Sequence, residues 1–294
     1  MRKIIAIGEC ILDILFHDNT PVKSYPGGKL LNAAALLGET GNEVYYVAEA
    51  ANDHVGNMVI DFLNKHRVNT RSIDRYTEGT TPSTLVFSYS DGSSRDRVYY
   101  GKYPQENFDT VWPRIDPDDI VIFGGYYSLD PRVRTRLFDI IKYARERKAI
   151  VVYLPSLRPE SVPRITRVMP SILENLEAAN LVVTFNNDLP TIFGKDDAAK
   201  VYHDNIVFYS FNLLNVENKN RKVTFFSRKL VSSAETREIT DRLPWNAGAI
   251  AGIVDAIIAN GITYDIMENL DQDMMTQIVN DAVEWGDKSQ LLSM

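Results

Sequence analysis

Short apolar runs alternate along this chain with longer segments whose apolar residues recur at helical spacing. Lys3–Ile7 is an apolar run ending at Gly8, the pattern of a buried strand. Ile11–Phe16 is a second run, interrupted by Asp13. Pro26-Gly27-Gly28 reads as a turn, and Leu30–Gly38 behind it reads as a helix stopped by Gly38 and Gly41. Glu43–Ala48 predicts a strand and His54–His66 an amphipathic helix. Thr84–Tyr89 and Arg97–Tyr100 flank Ser90-Asp91-Gly92-Ser93, a hairpin signal. Further strands are predicted at Ile120–Phe123, Ala149–Tyr153, Leu181–Thr184 and Ile206–Ser210, and a hairpin at Lys222–Phe226 and Lys229–Val231. Helices are predicted at Pro131–Arg147, Val168–Ala178, Ala247–Asn260 and Met274–Trp285.

Strands separated by helices imply βαβ units, a mostly parallel sheet and helices on both faces. Ligands bind such sheets beyond the carboxyl ends of the strands. Gly8-Glu9, Gly124-Gly125, Pro155–Arg158 and the turn at Asn246 are therefore expected to face the site. The strands at Phe16–Ser24 and Thr84–Tyr100 break the alternation and predict a small antiparallel appendage, a lid or a dimer clasp.

Composition narrows the class. The chain has 294 residues, 45% hydrophobic and 24% charged, ordinary for a globular protein with a substantial core. A formal net charge of −7 argues against a nucleic-acid partner, because phosphate contacts need clustered Lys and Arg. Cys10 is the sole cysteine, which excludes an intramolecular disulfide and a cysteine metal cluster, and a buried thiol is the favoured reading. His17, His54, His66 and His203 show no metal-ligand spacing. No apolar stretch is long enough to span a membrane. The chain opens on a strand-like run rather than a signal-peptide pattern, so the cytoplasm is expected. Arg132, Arg134, Arg136, Arg145, Arg147 and Lys148 spread around a helix and read as a solvated face, with a polyanion patch as the alternative. Tyr45, Tyr46, Phe87, Tyr89, Tyr99 and Tyr100 read as sheet packing or a dimer face.

Five ordered fragments carry a resemblance. They are Gly8-Glu9-Cys10-Ile11-Leu12-Asp13, Gly27-Gly28-Lys29-Leu30-Leu31-Asn32-Ala33-Ala34, Asn52-Asp53-His54-Val55-Gly56, Pro155-Ser156-Leu157-Arg158-Pro159, and the stretch from Asp241 to Gly252. In order and spacing they resemble the ribokinase-like (PfkB) carbohydrate kinase family. The resemblance implies one three-layer α/β/α domain over residues 1–294, with a mostly parallel sheet and β lid strands near 11–25 and 84–101. It implies ATP-dependent phosphorylation of a sugar hydroxyl with Mg²⁺ as helper, and a homodimer formed through the lid. Asp13, Gly27, Gly28 and Asn32 fall on the sugar side. The residues agree with such roles: glycines let backbone approach a ligand, and Asp13 and Asn32 can bond hydroxyls. A surface position for Asp13, a plain turn at Gly27-Gly28 and a packing role for Asn32 are the alternatives.

The second family signature, D-T-x-G-A-G-D, departs from its pattern here. Its first aspartate corresponds to Asp241, its glycines to Pro244 and Asn246, and its general base to Ala247. Gly248 follows. No Asp or Glu occurs between Arg242 and Val254, so no shift of register restores a base. Pro244 lacks an N–H, and Trp245 adds bulk where backbone should approach phosphate. Asn246 is expected to cap the following helix. Asp188, Asn212, Asp241 and Gly248 stand on the nucleotide side, where Asn212 replaces a turn glycine and Leu154 and Ser156 replace family polar residues. Three readings result: a PfkB-type protein with impaired catalysis and retained sugar binding, an active kinase with a relocated base such as Asp241 or Asp255, and a non-catalytic dimeric regulatory or interaction protein.

Overall fold

Ile4, Ile5, Ala6 and Ile7 are all buried, and alternate ones enter two different cores: Ile4 and Ala6 one, Ile5 and Ile7 the other. That is the signature of a strand covered on both faces, and it explains the unbroken apolar run. The computed structural model describes residues 2–90, 97–102, 108–157, 164–239 and 242–292.

The strands are β1 (Lys3–Ile7), β2 (Leu12–His17), β3 (Thr20–Pro26), β4 (Glu43–Ala51), β5 (Ile73–Tyr76), β6 (Thr80–Ser88), β7 (Arg97–Lys102), β8 (Ile120–Gly124), β9 (Ile150–Leu154), β10 (Leu181–Phe185), β11 (Asn212–Glu217), β12 (Lys222–Ser227) and β13 (Leu230–Glu235). The helices are α1 (Lys29–Glu39), α2 (His54–Lys65), α3 (Arg134–Glu146), α4 (Ile165–Ala178), α5 (Asp188–Phe193), α6 (Ala198–Asp204), α7 (Arg242–Ala259), α8 (Tyr264–Met267) and α9 (Gln272–Leu292). The large sheet runs β13-β12-β11-β10-β9-β8-β1-β4-β5, and its pairs are parallel except β11–β12 and β12–β13. One core joins it to α1, α2, α7 and α9, the other to α3, α4 and α6. The architecture is therefore the expected three-layer α/β/α domain with a small additional sheet. Among the described residues, no helix is long and apolar enough to cross a membrane.

The small sheet, β3-β2-β6-β7, corrects one expectation. Its outer pairs are antiparallel hairpins, but its central pair, β2–β6, is parallel. The chain passes through α1, β4, α2 and β5 between those two strands, and such a crossover permits parallel pairing where a tight turn would not.

Two further boundaries differ. Ile206–Phe208 forms a 3₁₀ turn rather than a strand, with Phe208 75% exposed, and the buried strand starts at Asn212. The apolar run at 213–216 has neighbours on both sides in the sheet, whereas the earlier run has none. Helix α7 begins by Arg242, so Asn246 lies inside it and is not its cap. Pro244 sits in the first turn, where a missing N–H breaks no helical hydrogen bond. Arg132 and Arg136 pair with Asp130 and Asp109 on a solvated face, but Arg134 departs from that expectation: its largely buried guanidinium turns inward to the Ser128 carbonyl, Asn175 and Glu174.

Candidate functional site

The residues expected on the sugar side come together. Gly27 N–H donates to the Ile11 carbonyl at 2.7 Å, closing the turn out of β3. A Cβ on Gly27 would lie 2.6 Å from the Asp13 carboxyl carbon, so any side chain there would push the Asp13 carboxylate aside. Gly28 has φ +91°, a left-handed conformation that glycine adopts without strain. Asn32 sits one turn into α1, and its Nδ2 donates to the carbonyls of Pro26 at 3.0 Å and Gly28 at 2.8 Å. The asparagine thus holds the turn's shape. Asp13 is 2% exposed, which removes the surface-residue reading.

Next to this turn, the Tyr46 hydroxyl donates to the Glu9 carbonyl at 2.9 Å. Cys10 is buried, and burial pushes its thiol up to about 12 against the opposing charge of Arg75, so it is no nucleophile at neutral pH.

Two carboxylates organise the neighbouring ends of β4 and β6. Asp53 caps α2 by accepting from Gly56 N–H at 2.7 Å, and also accepts from Thr81 N–H and Oγ, both at 2.8 Å. Burial works to raise its pKa, but these hydrogen bonds outweigh it and hold the carboxyl below the usual range. Asp53 therefore joins the small sheet to the large one. Glu49 escaped the sequence reading. It is fully buried and accepts from Phe108 N–H at 2.5 Å and the Tyr127 hydroxyl at 2.8 Å. Burial pushes its carboxyl up, with those two bonds opposing. The signal for it was a lone glutamate inside the apolar run of β4.

On the expected nucleotide side, the residues divide. Asp188 accepts from Phe185 N–H at 2.9 Å and Leu157 N–H at 3.2 Å, with Ser156 N–H contributing. Burial raises its pKa, and Lys29 opposes that. Lys29 reaches across from the glycine turn, its Nζ 4.2 Å from the Phe185 ring centre. Asp188 thus ties the loops after β9 and β10 together, with both oxygens already bonded to backbone.

Arg2 Nη1 reaches the Ile257 carbonyl, so the end of α7 lies by the start of β1. The first turns of α7 therefore lie at the carboxyl ends of the strands, beside α1. Ala247 is 1% exposed there. Asn246 is 7% exposed, and its Oδ1 has no hydrogen-bond partner among the described residues. Trp245 turns the other way, correcting the expectation that its bulk enters the loop. It packs against Gly286 of α9 and its Nε1 donates to Asp287 at 2.9 Å. Gly248 also faces α9, where a Cβ would meet Ser289 and the Trp285 carbonyl at 2.4 Å. Its missing side chain lets α7 and α9 approach closely. Asp255 lies about 12 Å along the helix from Ala247, too far to replace it. Asp241 lies outside the described residues.

Asn212 is also displaced from its expected place. As the first residue of β11 it lies at the amino end of the sheet, where its Nδ2 donates to the carbonyls of Asn180 at 2.9 Å and Met267 at 2.8 Å. The strand expected at Ile206–Ser210 accounts for the difference, because residues after that strand would have faced the site.

Known proteins share this architecture. The sequence profile described as pfkB family carbohydrate kinase matches residues 1–207. The Arabidopsis thaliana protein called probable fructokinase-5 is 20% identical over 244 residues, 77% of this chain and 73% of that protein. A fructokinase from Vibrio cholerae O395, solved with fructose, ADP and calcium ion, superposes with a TM-score of 0.77 at 14% identity, covering 98% of this chain and 91% of that one. Aminoimidazole riboside kinase from Salmonella enterica, solved with aminoimidazole riboside and an ATP analog, has a TM-score of 0.77 at 13% identity, covering 97% of this chain and 92% of that one. At such identities the structural likeness speaks for the fold.

Proposed function

The chain belongs to the pfkB family of carbohydrate kinases, and from that premise we propose that it is a sugar-binding member with impaired phosphoryl transfer. The family reaction is ATP-dependent phosphorylation of a sugar hydroxyl. The observation that carries our reading is Ala247, a buried methyl group in the second turn of α7 where the family signature has its general base. An alanine accepts no proton, and general-base help is worth ~10²–10⁴-fold in rate.

The backbone near it points the same way. An open glycine turn at a helix start offers N–H groups to a transferring phosphoryl group. Here Trp245 and Asn246 are already coiled into α7, where the N–H groups past the first turn bond within the helix. Toward ATP and Mg²⁺ the residues fit poorly: both Asp188 oxygens accept backbone N–H groups, and Asn212 and Gly248 face elsewhere. The profile match also ends at residue 207, before α7.

Sugar binding is the better supported half. Asp13, Gly27, Gly28 and Asn32 keep the arrangement in which backbone approaches closely beside a buried carboxylate able to accept from hydroxyls. We assign the ligand to the polyhydroxyl class, since fructose and a riboside occupy the two solved relatives named above. The small sheet serves as a lid on that site, and its outer edge is the surface through which two copies would pair.

The test is calorimetric titration with D-fructose and D-ribose beside a coupled assay of ADP release. Sugar binding with turnover at least about 10²-fold below that of an active sugar kinase is expected. Turnover at an ordinary kinase rate of about 1–100 s⁻¹ overturns the impairment and favours a relocated base.

A further inference from the structure

Asp13 and Thr84 are paired residues of the parallel β2–β6 ladder. Side chains alternate between faces along a strand, so paired residues share a face. For Asp13 that face is turned to the glycine turn, because its carboxylate rests against Gly27. Thr84 is therefore aimed at the same site. It is 0% exposed, and its Oγ has no hydrogen-bond partner among the described residues. Tyr25 pairs with Asp13 on one side and Tyr99 with Thr84 on the other, so four polar side chains form a row across the sheet.

A buried hydroxyl without a partner is unusual and costly, and packing alone would be served by valine. The strand alternates here as expected, with Pro82, Thr84 and Val86 inward and Ser83, Leu85 and Phe87 less buried. Thr84 is thus a polar interruption on the buried face, beside the carboxylate already assigned to hydroxyl binding.

We propose that Thr84 is a specificity-determining residue: its Oγ bonds one hydroxyl of the bound sugar while Asp13 accepts from the adjacent one. The ligand is then a vicinal diol presented to the inner face of the small sheet. This inference rests on the sugar-binding reading above and adds a second recognition group to it.

The test is calorimetric titration of the full chain and its Thr84→Val, Thr84→Ser and Asp13→Ala variants with D-fructose, D-ribose and their monodeoxy analogues. Thr84→Val is expected to weaken sugar binding about 2- to 12-fold, the net worth of one neutral hydrogen bond, and Thr84→Ser to retain it. One monodeoxy analogue is expected to bind wild type and Thr84→Val alike. The ligand-free Tm of Thr84→Val is expected to equal or exceed that of wild type. Unchanged binding by Thr84→Val, with binding lost in Asp13→Ala, overturns this inference and leaves the sugar-binding reading standing. A lowered Tm in both Thr84 variants assigns the hydroxyl to folding and also overturns it. If wild type binds neither parent sugar, or Asp13→Ala binds as wild type does, both readings fall.

Discussion

The Asp13 carboxylate and Gly27 are fitted to one another so closely that a single methyl group on Gly27 would lie 2.6 Å from the carboxyl carbon. A side chain on the turn would therefore have to displace the carboxylate. Gly27→Ala is expected to displace Asp13, lower stability by about 1–3 kcal/mol as overpacked sites do, and weaken sugar binding at least tenfold. Urea denaturation and calorimetry check the two effects.

Asp53 joins α2 to the first residues of the small sheet through three hydrogen bonds. Loss of such a cap costs about 0.5–2 kcal/mol, so Asp53→Ala is expected to lower stability by at least that much, read as a lower urea midpoint. Its folded pKa is depressed, so the unfolded carboxyl binds protons first as pH falls. The stabilisation is complete above the unfolded value near 4 and is lost as pH drops through the lower folded value. Asp53→Asn should therefore flatten the acid limb of stability below about pH 5.

Glu49 has the opposite sign. Burial raises its folded pKa, so its contribution is fully present below the unfolded value near 4.3 and declines as pH rises through the folded one. Glu49→Gln is expected to remove that decline while still accepting from Phe108. Urea midpoints of wild type and variant, compared at pH 4, 5, 6 and 7, would converge toward low pH. Divergence toward low pH would refute the assignment.

Gly252 brings α7 against α9, and a methyl group in its place would lie only 2.3 Å from the Asp281 carbonyl. Gly252→Ala is expected to force the helices apart and lower stability by about 1–3 kcal/mol, despite alanine's better helix propensity. Thermal denaturation measures this directly, and a stabilised variant would contradict the packing described.

If phosphoryl transfer is impaired as proposed above, restoring it needs more than one residue. Ala247→Asp alone places a carboxylate among apolar neighbours while the preceding turn stays helical. It is expected to lose stability and gain no ATP-dependent turnover. Combined with Pro244→Gly and Asn246→Gly, which loosen that turn, it is expected to raise turnover at least tenfold. ADP release under saturating sugar distinguishes the two.

The alternation of apolar runs with helical segments determined the three-layer fold, because buried parallel strands and their crossover helices each impose a distinct period on the sequence. The same local signals marked Gly27, Gly28 and Asn32 as a turn entering a helix, and the absence of Asp and Glu between Arg242 and Val254 was legible in the sequence, where only the family resemblance gave it a meaning. The tertiary structure decided what local signals cannot carry. Whether the run at Ile206 or the one at Leu213 enters the sheet depends on neighbouring strands, so Asn212 fell at the wrong end. Whether Gly248 serves a ligand or a helix depends on α9, far away in sequence. Burial of Glu49 and the pairing of Thr84 with Asp13 arise from contacts between distant segments. Spacing along a chain records what each segment prefers, whereas the partner of a buried polar group is chosen only when the segments meet.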